Sequence, residues 1–306
     1  MSFLFFGVGI LKALIYIIKT LSILSPRLGF SLTKLLVSFP RHLSAKARDL
    51  KTIEQAKVIE FKRNGKKVAL SWGQGPVVIL FHGWEGRSTQ MAPIAQKLAS
   101  QGYQAIALDF TGHGESQGRQ CRFDDLIADV AALHDYVLEH ISPEVHAMVG
   151  HSAGGVCMME SRLRHNIKVN NFVVVSSPSA PYPAIEALRK NLKVPQNILN
   201  LVQASIAQSF QTDWPTMLAG KVYTARHNNE RLLLVYDESD KIISHTDGDK
   251  IAGIFPQSSL IKTQGFGHTK VLWNALVIEK VCDFICQGLL VCPSRYGTIQ
   301  GKSTRN

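Results

Sequence analysis

From residue 57 onward, apolar positions recur in two alternating rhythms. Lys57–Lys62 and Lys67–Trp72 alternate as strands, and Asn64-Gly65 between them is a type I′ hairpin signal. Val77–Phe81 is a continuous apolar run, as in a strand buried on both faces. Residues 88–101 then place Met91, Ile94, Ala95 and Leu98 at helical spacing, and Ala105–Leu108 is the next buried strand. Residues 123–141 align Phe123, Leu126, Ile127, Val130, Val137, Leu138 and Ile141 on one helical stripe. Val145–Val149 predicts a strand, and a helix follows from Ala153. Phe172–Val175, Leu232–Val235 and Leu260–Lys262 read as further strands. A last helix carries Ala275, Ile278, Cys282, Ile285 and Leu289 at steps of three and four. Strand and helix in alternation predict a parallel sheet covered on both faces by right-handed crossovers. Ligands of such sheets bind at the carboxyl ends of the strands.

Two stretches break the rhythm. Residues 178–226 hold Pro178, Pro181, Pro183, Pro195 and Pro215, with amphipathic helices near Ala184–Asn191 and Ile198–Ser209. An insertion of this length is expected to be a lid or binding element. Residues 3–18 are almost wholly apolar, interrupted by Lys12 and ended by Lys19. They lack the leading charge and small-residue cleavage site of a secretory signal. Lys12 at mid-bilayer argues against a spanning helix. Lys12 and Lys19 share one helical face, which suits a helix lying in a membrane interface, and a helix packed on the protein's own surface is the alternative. Pro26 breaks this run, Phe30–Phe39 forms a second short helix, and Pro40 ends it. The expected organisation is an apolar, basic segment at 1–50, a catalytic domain at 51–292 with its cap at 178–226, and a loose basic tail at 293–306. No internal repeat is evident.

Composition narrows the class. With 45% hydrophobic and 19% charged residues in 306, the chain is globular. Its net charge is +11, and residues 1–50 carry seven lysines and arginines against Asp49 alone. Because those cations lie among apolar residues and no nucleic-acid motif accompanies them, contact with a membrane through residues 1–40 is expected, and binding to nucleic acid is not. Five cysteines, Cys121, Cys157, Cys282, Cys286 and Cys292, are an odd number in a large chain, which fits reduced thiols in the cytoplasm. Cys282 and Cys286 are one helical turn apart, without the further ligands a metal would need, so helical packing is expected of them.

The chemistry gathers around Gly150-His151-Ser152-Ala153-Gly154. This is G-x-S-x-G, in which a strand ends in a sharp turn that lifts the serine hydroxyl above the sheet. The bare pattern is common, and its weight comes from the strand before it and the helix after it. A serine hydroxyl needs a base, and the base needs an acid to orient it. His268, in Gly265-Phe266-Gly267-His268 just after the last strand, is the base expected, whereas His245 opens a helix and lies too close to Asp240 to be its partner. Tyr236-Asp237-Glu238-Ser239-Asp240 follows Leu232–Val235, and the spacing leaves Asp237 and Asp240 both open as the acid. The oxyanion needs two backbone donors. Ala153 N–H is one, and Trp84 N–H is the other, with Gly83 allowing close approach.

Together with His82-Gly83 and Asp109-Phe110-Thr111-Gly112-His113-Gly114-Glu115-Ser116, these motifs fall in the order found in the α/β-hydrolase superfamily. Over about residues 55–290 the chain resembles its bacterial single-domain members. The resemblance implies an α/β-hydrolase fold, with a mostly parallel sheet, helices on both faces and a helical cap insertion. It implies Ser152 as nucleophile, His268 as base, Trp84 and Ala153 as oxyanion donors, and structural roles for His82, Gly83, Gly150, Gly154, Asp109 and Gly112–Ser116. The family pattern G-x-x-D-x-[IV]-[IV] aligns on Asp240, Ile242 and Ile243, which favours Asp240, although Asp237 stands where the pattern has glycine. The implied activity is hydrolysis of a small-molecule or lipid carboxylic ester through an acyl-enzyme, without metal or organic cofactor. Thioester or lysophospholipid hydrolysis is the nearest rival, and a non-catalytic interaction protein of the same fold is the rival of another class. The implied place is the cytoplasm, at the inner face of the membrane.

Overall fold

Eight strands form one sheet in the order β1-β2-β4-β3-β5-β6-β7-β8 in a computed structural model that describes residues 8–287. The strands are β1 (Lys57–Lys62), β2 (Lys66–Trp72), β3 (Val77–Phe81), β4 (Gln104–Asp109), β5 (Val145–His151), β6 (Asn171–Val175), β7 (Arg231–Asp237) and β8 (Ser258–Thr263). β1 and β2 pair antiparallel, as do β2 and β4, and every later pairing is parallel. In the hairpin between β1 and β2, Asn64 and Gly65 both have positive φ, as a type I′ turn requires.

The period of two along the central strands divides the core. Ile79, Phe81, Met148, Phe172, Val174, Leu232 and Leu234 face α5 (Phe123–His140) and α6 (Ala153–Arg164). Val78, Leu80, Ala147, Val149, Val173, Leu233 and Val235 face α4 (Ala92–Ser100) and α12 (Ala275–Cys286). Buried Cys282 is part of this second layer, and burial pushes its thiol up to about 12. Among the described residues, no three His, Cys, Asp or Glu side chains are grouped to hold a metal ion. Leu289 and Cys292 lie outside the described residues.

The segment between β6 and β7 contains α7 (Tyr182–Leu192), α8 (Gln196–Ser209) and the short α9 (Trp214–Leu218). α9 escaped the sequence reading because five residues give no periodicity. Asp213 caps it by accepting the Thr216 amide, with Pro215 in its first turn.

The N-terminal segment differs from expectation in its boundaries. α1 runs from Val8 to Leu24, beyond Lys19, and α2 from Pro26 to Val37. Pro26 opens α2, because at the first helical position its missing N–H costs nothing. The two helices touch at Gly29, where a Cβ would stand 2.5 Å from Ser22 Oγ. Their inner faces pack on the cap. Ile18 is fully buried with Ile185, Leu188 and Leu192 of α7 and Ile198, Leu199 and Val202 of α8, and Ile15, Phe30, Leu36 and Val37 complete this core. Among the described residues no helix is long and apolar enough to cross a membrane.

Candidate active site

Four turns at the carboxyl edge of the sheet converge on one cavity of about 1250 Å³. The turn after β5 presents Ser152 with φ 53° and ψ −125°, a conformation closed to most residues without support. The support is local: Ser152 N–H donates to Val175 O at 3.0 Å, and Ser177 Oγ donates to Ser152 O at 2.6 Å. The flanking glycines are spatially required. A Cβ at Gly154 would lie 2.3 Å from His82 O, and one at Gly150 would lie 2.5 Å from the Gly155 Cα.

Ser152 Oγ is 3.0 Å from His268 Nε2, and His268 Nδ1 is 2.8 Å from Asp240 Oδ2. Asp240 Oδ1 accepts the amides of Ile242 at 2.8 Å and Ile243 at 3.0 Å. Burial alone would push this carboxyl up, but the bond to and charge of His268, with those two amides, hold it below the ordinary aspartate range. A carboxylate so held keeps Nδ1 protonated, which leaves Nε2 as an acceptor for the serine proton.

The other acid left open by the sequence has different work. Buried Asp237 accepts from Ser239 N at 3.0 Å, Gly267 N at 2.8 Å, Phe266 N at 3.2 Å and Thr263 Oγ1 at 2.8 Å. These donors outweigh the effect of burial and hold its carboxyl low. Asp237 thus ties down the loop that ends in His268 without touching the imidazole ring. His245 begins α10 (Thr246–Ile254) and lines the same cavity.

Trp84 and Ala153 both line the cavity beside Ser152. Ala153 is the first residue of α6, where an amide has no partner inside the helix. Gly83 is packed against Ser152, since a Cβ there would lie 3.0 Å from the Ser152 Cβ. Two neutral imidazoles hold this loop. Phe110 N–H donates to His82 Nε2 at 3.2 Å, so Nδ1 carries the proton and donates to Gly83 O at 2.7 Å. Likewise Glu85 N–H donates to His113 Nε2 at 3.1 Å, and His113 Nδ1 donates to Thr111 O at 2.9 Å. Burial lowers His82 to about 4 and His113 to about 3. In the Asp109–Ser116 turn, Asp109 accepts from Ser88 N and Glu115 N, and Ser116 Oγ donates to Asp109 O, so the turn is tied both to itself and to Ser88.

Several participants were missed in the sequence. His151, inside the serine motif, donates from Nε2 to His268 O at 2.9 Å, and burial lowers it to about 3. Its position in the motif was visible, but its partner lies 117 residues away. Tyr182 of the cap lines the cavity and donates to Asp247, which also accepts from Ser179 Oγ at 2.6 Å. Lys34, Val37, Ser38 and Arg41 form part of the cavity wall, and Arg41 pairs with Glu85 at 2.7 Å. Nothing in the apolar pattern of α2 announces that role.

A family model described as serine aminopeptidase, S33, matches residues 74–233, which include Trp84, Ser152 and Ala153. Among curated proteins, the pimeloyl-[acyl-carrier protein] methyl ester esterase of Aliivibrio salmonicida is 31% identical over 106 residues, 34% of this chain and 37% of that protein. The enzyme of the same name from Chromobacterium violaceum is 34% identical over 106 residues, 34% of this chain and 38% of that one. The matches therefore span well under half the length of these relatives. Among solved structures, ferulic-acid-bound Est1E from Butyrivibrio proteoclasticus superposes with a TM-score of 0.61 at 18% identity, over 75% of this chain and 98% of that one. The Pyrococcus furiosus esterase Pf2001 gives 0.59 at 17% identity, over 81% and 98%. Likeness at this level speaks for the fold.

Proposed function

Since the chain belongs to the α/β-hydrolase superfamily, we propose that it is a serine hydrolase of carboxylic esters, with Ser152, His268 and Asp240 as its triad. The observation that carries this reading is the continuous relay from Ser152 Oγ to His268 to Asp240, at 3.0 and 2.8 Å. Ser152 Oγ attacks the acyl carbon as its proton passes to His268 Nε2. The oxyanion of the tetrahedral intermediate takes the amides of Ala153 and Trp84. Collapse breaks the bond to the leaving oxygen, which receives the proton from Nε2 and departs as the alcohol. Water then gives a proton to Nε2 and attacks the acyl-enzyme. The second collapse releases the acid, and Ser152 Oγ regains its proton.

Of the carboxylates that line the cavity, Glu85 pairs with Arg41, Glu186 with Arg189 and Lys190, Asp124 with Arg164 and Asp240 with His268, while Glu238 is exposed. The cavity also exceeds the usual range of about 300–1000 Å³ for small-ligand pockets, which favours a long acyl chain. The test is a panel of p-nitrophenyl esters of rising chain length, alongside labelling by a fluorophosphonate. Wild type is expected to turn over the esters and take the label at Ser152, and folded Ser152→Ala to do neither. Turnover by folded Ser152→Ala near the wild-type rate refutes the triad.

A further inference from the structure

The helices that wall the cavity have a second, outward face. Ile23, Leu24 and Tyr16 of α1 are 83%, 73% and 72% exposed, and Ile10, Ile17, Leu28 and Leu35 are exposed with them. At about 100° per residue, the side of α1 opposite buried Ile18 and Ser22 carries Ile10, Ala13, Tyr16, Ile17, Ile23 and Leu24. Lys12 and Lys19 run along one edge of that apolar stripe, both exposed. A helix packed only on its own protein would turn its polar side outward. α1 instead buries one apolar face on the cap and leaves another in solvent. The charge around it has one sign: residues 1–48 contain seven lysines and arginines and no aspartate or glutamate. Glu85 engages Arg41, and among the described residues no other of these cations is in an ion pair with a carboxylate.

We propose that this outward face of α1 and α2 docks on an anionic lipid surface, and that the esters cleaved at Ser152 are acyl amphiphiles held in that surface. The second clause rests on the esterase reading, and the first does not. Apolar side chains flanked by lysines match a lipid interface, where the chains enter the acyl boundary and the lysines extend to the headgroups. Among the described residues no helix is long and apolar enough to cross a membrane, and on this proposal α1 lies in the plane of the surface. α2 connects the surface to the chemistry: Leu28 and Leu35 lie on its exposed side, while Lys34 and Val37 line the cavity. Surface and pocket are therefore separated by about one helix diameter, 10–12 Å. An extended acyl chain is long enough to cover that distance, and Lys34 places a cation in the cavity wall, where an amphiphile's anionic group would rest.

The test is sedimentation of the full chain with vesicles of phosphatidylcholine alone and of phosphatidylcholine with phosphatidylglycerol, at low and high salt. Expected is binding to the anionic vesicles that falls with salt. Lys12→Gln with Lys19→Gln should weaken it roughly 25-fold, about fivefold per lysine. Ile23→Asp should abolish it while leaving hydrolysis of a short soluble ester unchanged. Ser152→Ala should bind like wild type without turning over ester, and vesicle binding by wild type without ester turnover would sink the esterase reading and leave the docking surface standing. No association with anionic vesicles overturns the proposal. So does equal, salt-insensitive binding to neutral vesicles, or a concentration-dependent dimer that leaves the vesicles free.

Discussion

Two aspartates three residues apart in one turn have separate jobs, and the distinction predicts separate losses. Asp240 meets the imidazole of His268, whereas Asp237 meets three amides and a hydroxyl around it. Asp240→Asn should lower kcat by about 10⁴-fold with little change in melting temperature, because the imidazole loses its fixed tautomer and the partner of its charged form. Asp237→Asn puts an NH₂ against donors and should cost about 1–3 kcal/mol of stability, with a far smaller fall in kcat. Steady-state kinetics and thermal unfolding of both variants check this, and the reverse ranking would move the catalytic acid to Asp237. The sequence placed both residues past the expected strand Leu232–Val235 but could not separate them, and Asp237 is in fact the last residue of β7. Which carboxylate faces the imidazole depends on the path of a loop from another strand, 26 to 30 residues on.

At the scale of elements, the regular pieces were legible because their burial is regular. β3 is buried on every residue and reads as an unbroken apolar run, and α5 shows its stripe over 18 residues. Misreadings arose where length or a single residue decides. Residues 88–91 form a 3₁₀ turn before α4 starts at Ala92, and α1 outlasts the lysine expected to end it. The loops around Ser152 are held by buried neutral histidines, which no periodicity reveals. That arrangement makes them acid-sensitive. His82, His113 and His151 lie near 4, 3 and 3 in the folded chain, against about 6.5 when unfolded. Below about pH 6.5 the unfolded chain binds protons that the folded chain refuses, so stability from these groups is full above that pH and is lost as pH falls toward their folded values. Each should cost about 2 kcal/mol by pH 5. His113→Gln, which keeps a donor and an acceptor but cannot titrate, should reduce the slope of stability against pH by up to one proton. Denaturant melts across pH 4–7 would show it, and an unchanged slope would mean that His113 protonates freely in the fold.

For the whole molecule, the cap and the N-terminal helices share one core, so the segment before residue 44 is part of the pocket as well as a surface feature. A chain starting at Ser44 would expose Ile185, Leu188, Leu192, Leu199 and Val202, each buried aliphatic being worth about 1.5–3 kcal/mol. It should melt well below the full chain and lose discrimination between long and short acyl esters, because Val37 and Lys34 leave the cavity wall. Equal melting temperatures and equal chain-length profiles would show that the cap stands without those helices. Sequence reading favoured membrane contact for the segment and kept packing on the protein's own surface as the alternative. Its inner contacts join residues more than 150 apart in the chain, and the apolar pattern alone looks the same whether it faces a bilayer, a cap, or both.

The burial of Ile18 against α7 also has a consequence in time. During synthesis the hairpin of α1 and α2 emerges before the cap, and its cover begins only at Ile185. At about 5–20 residues per second, both of its apolar sides stay uncovered for roughly 10–30 s. A nascent chain in that state will seek whatever greasy surface is nearest, a chaperone or a bilayer. Its final address can therefore be chosen before Ser152 has been translated.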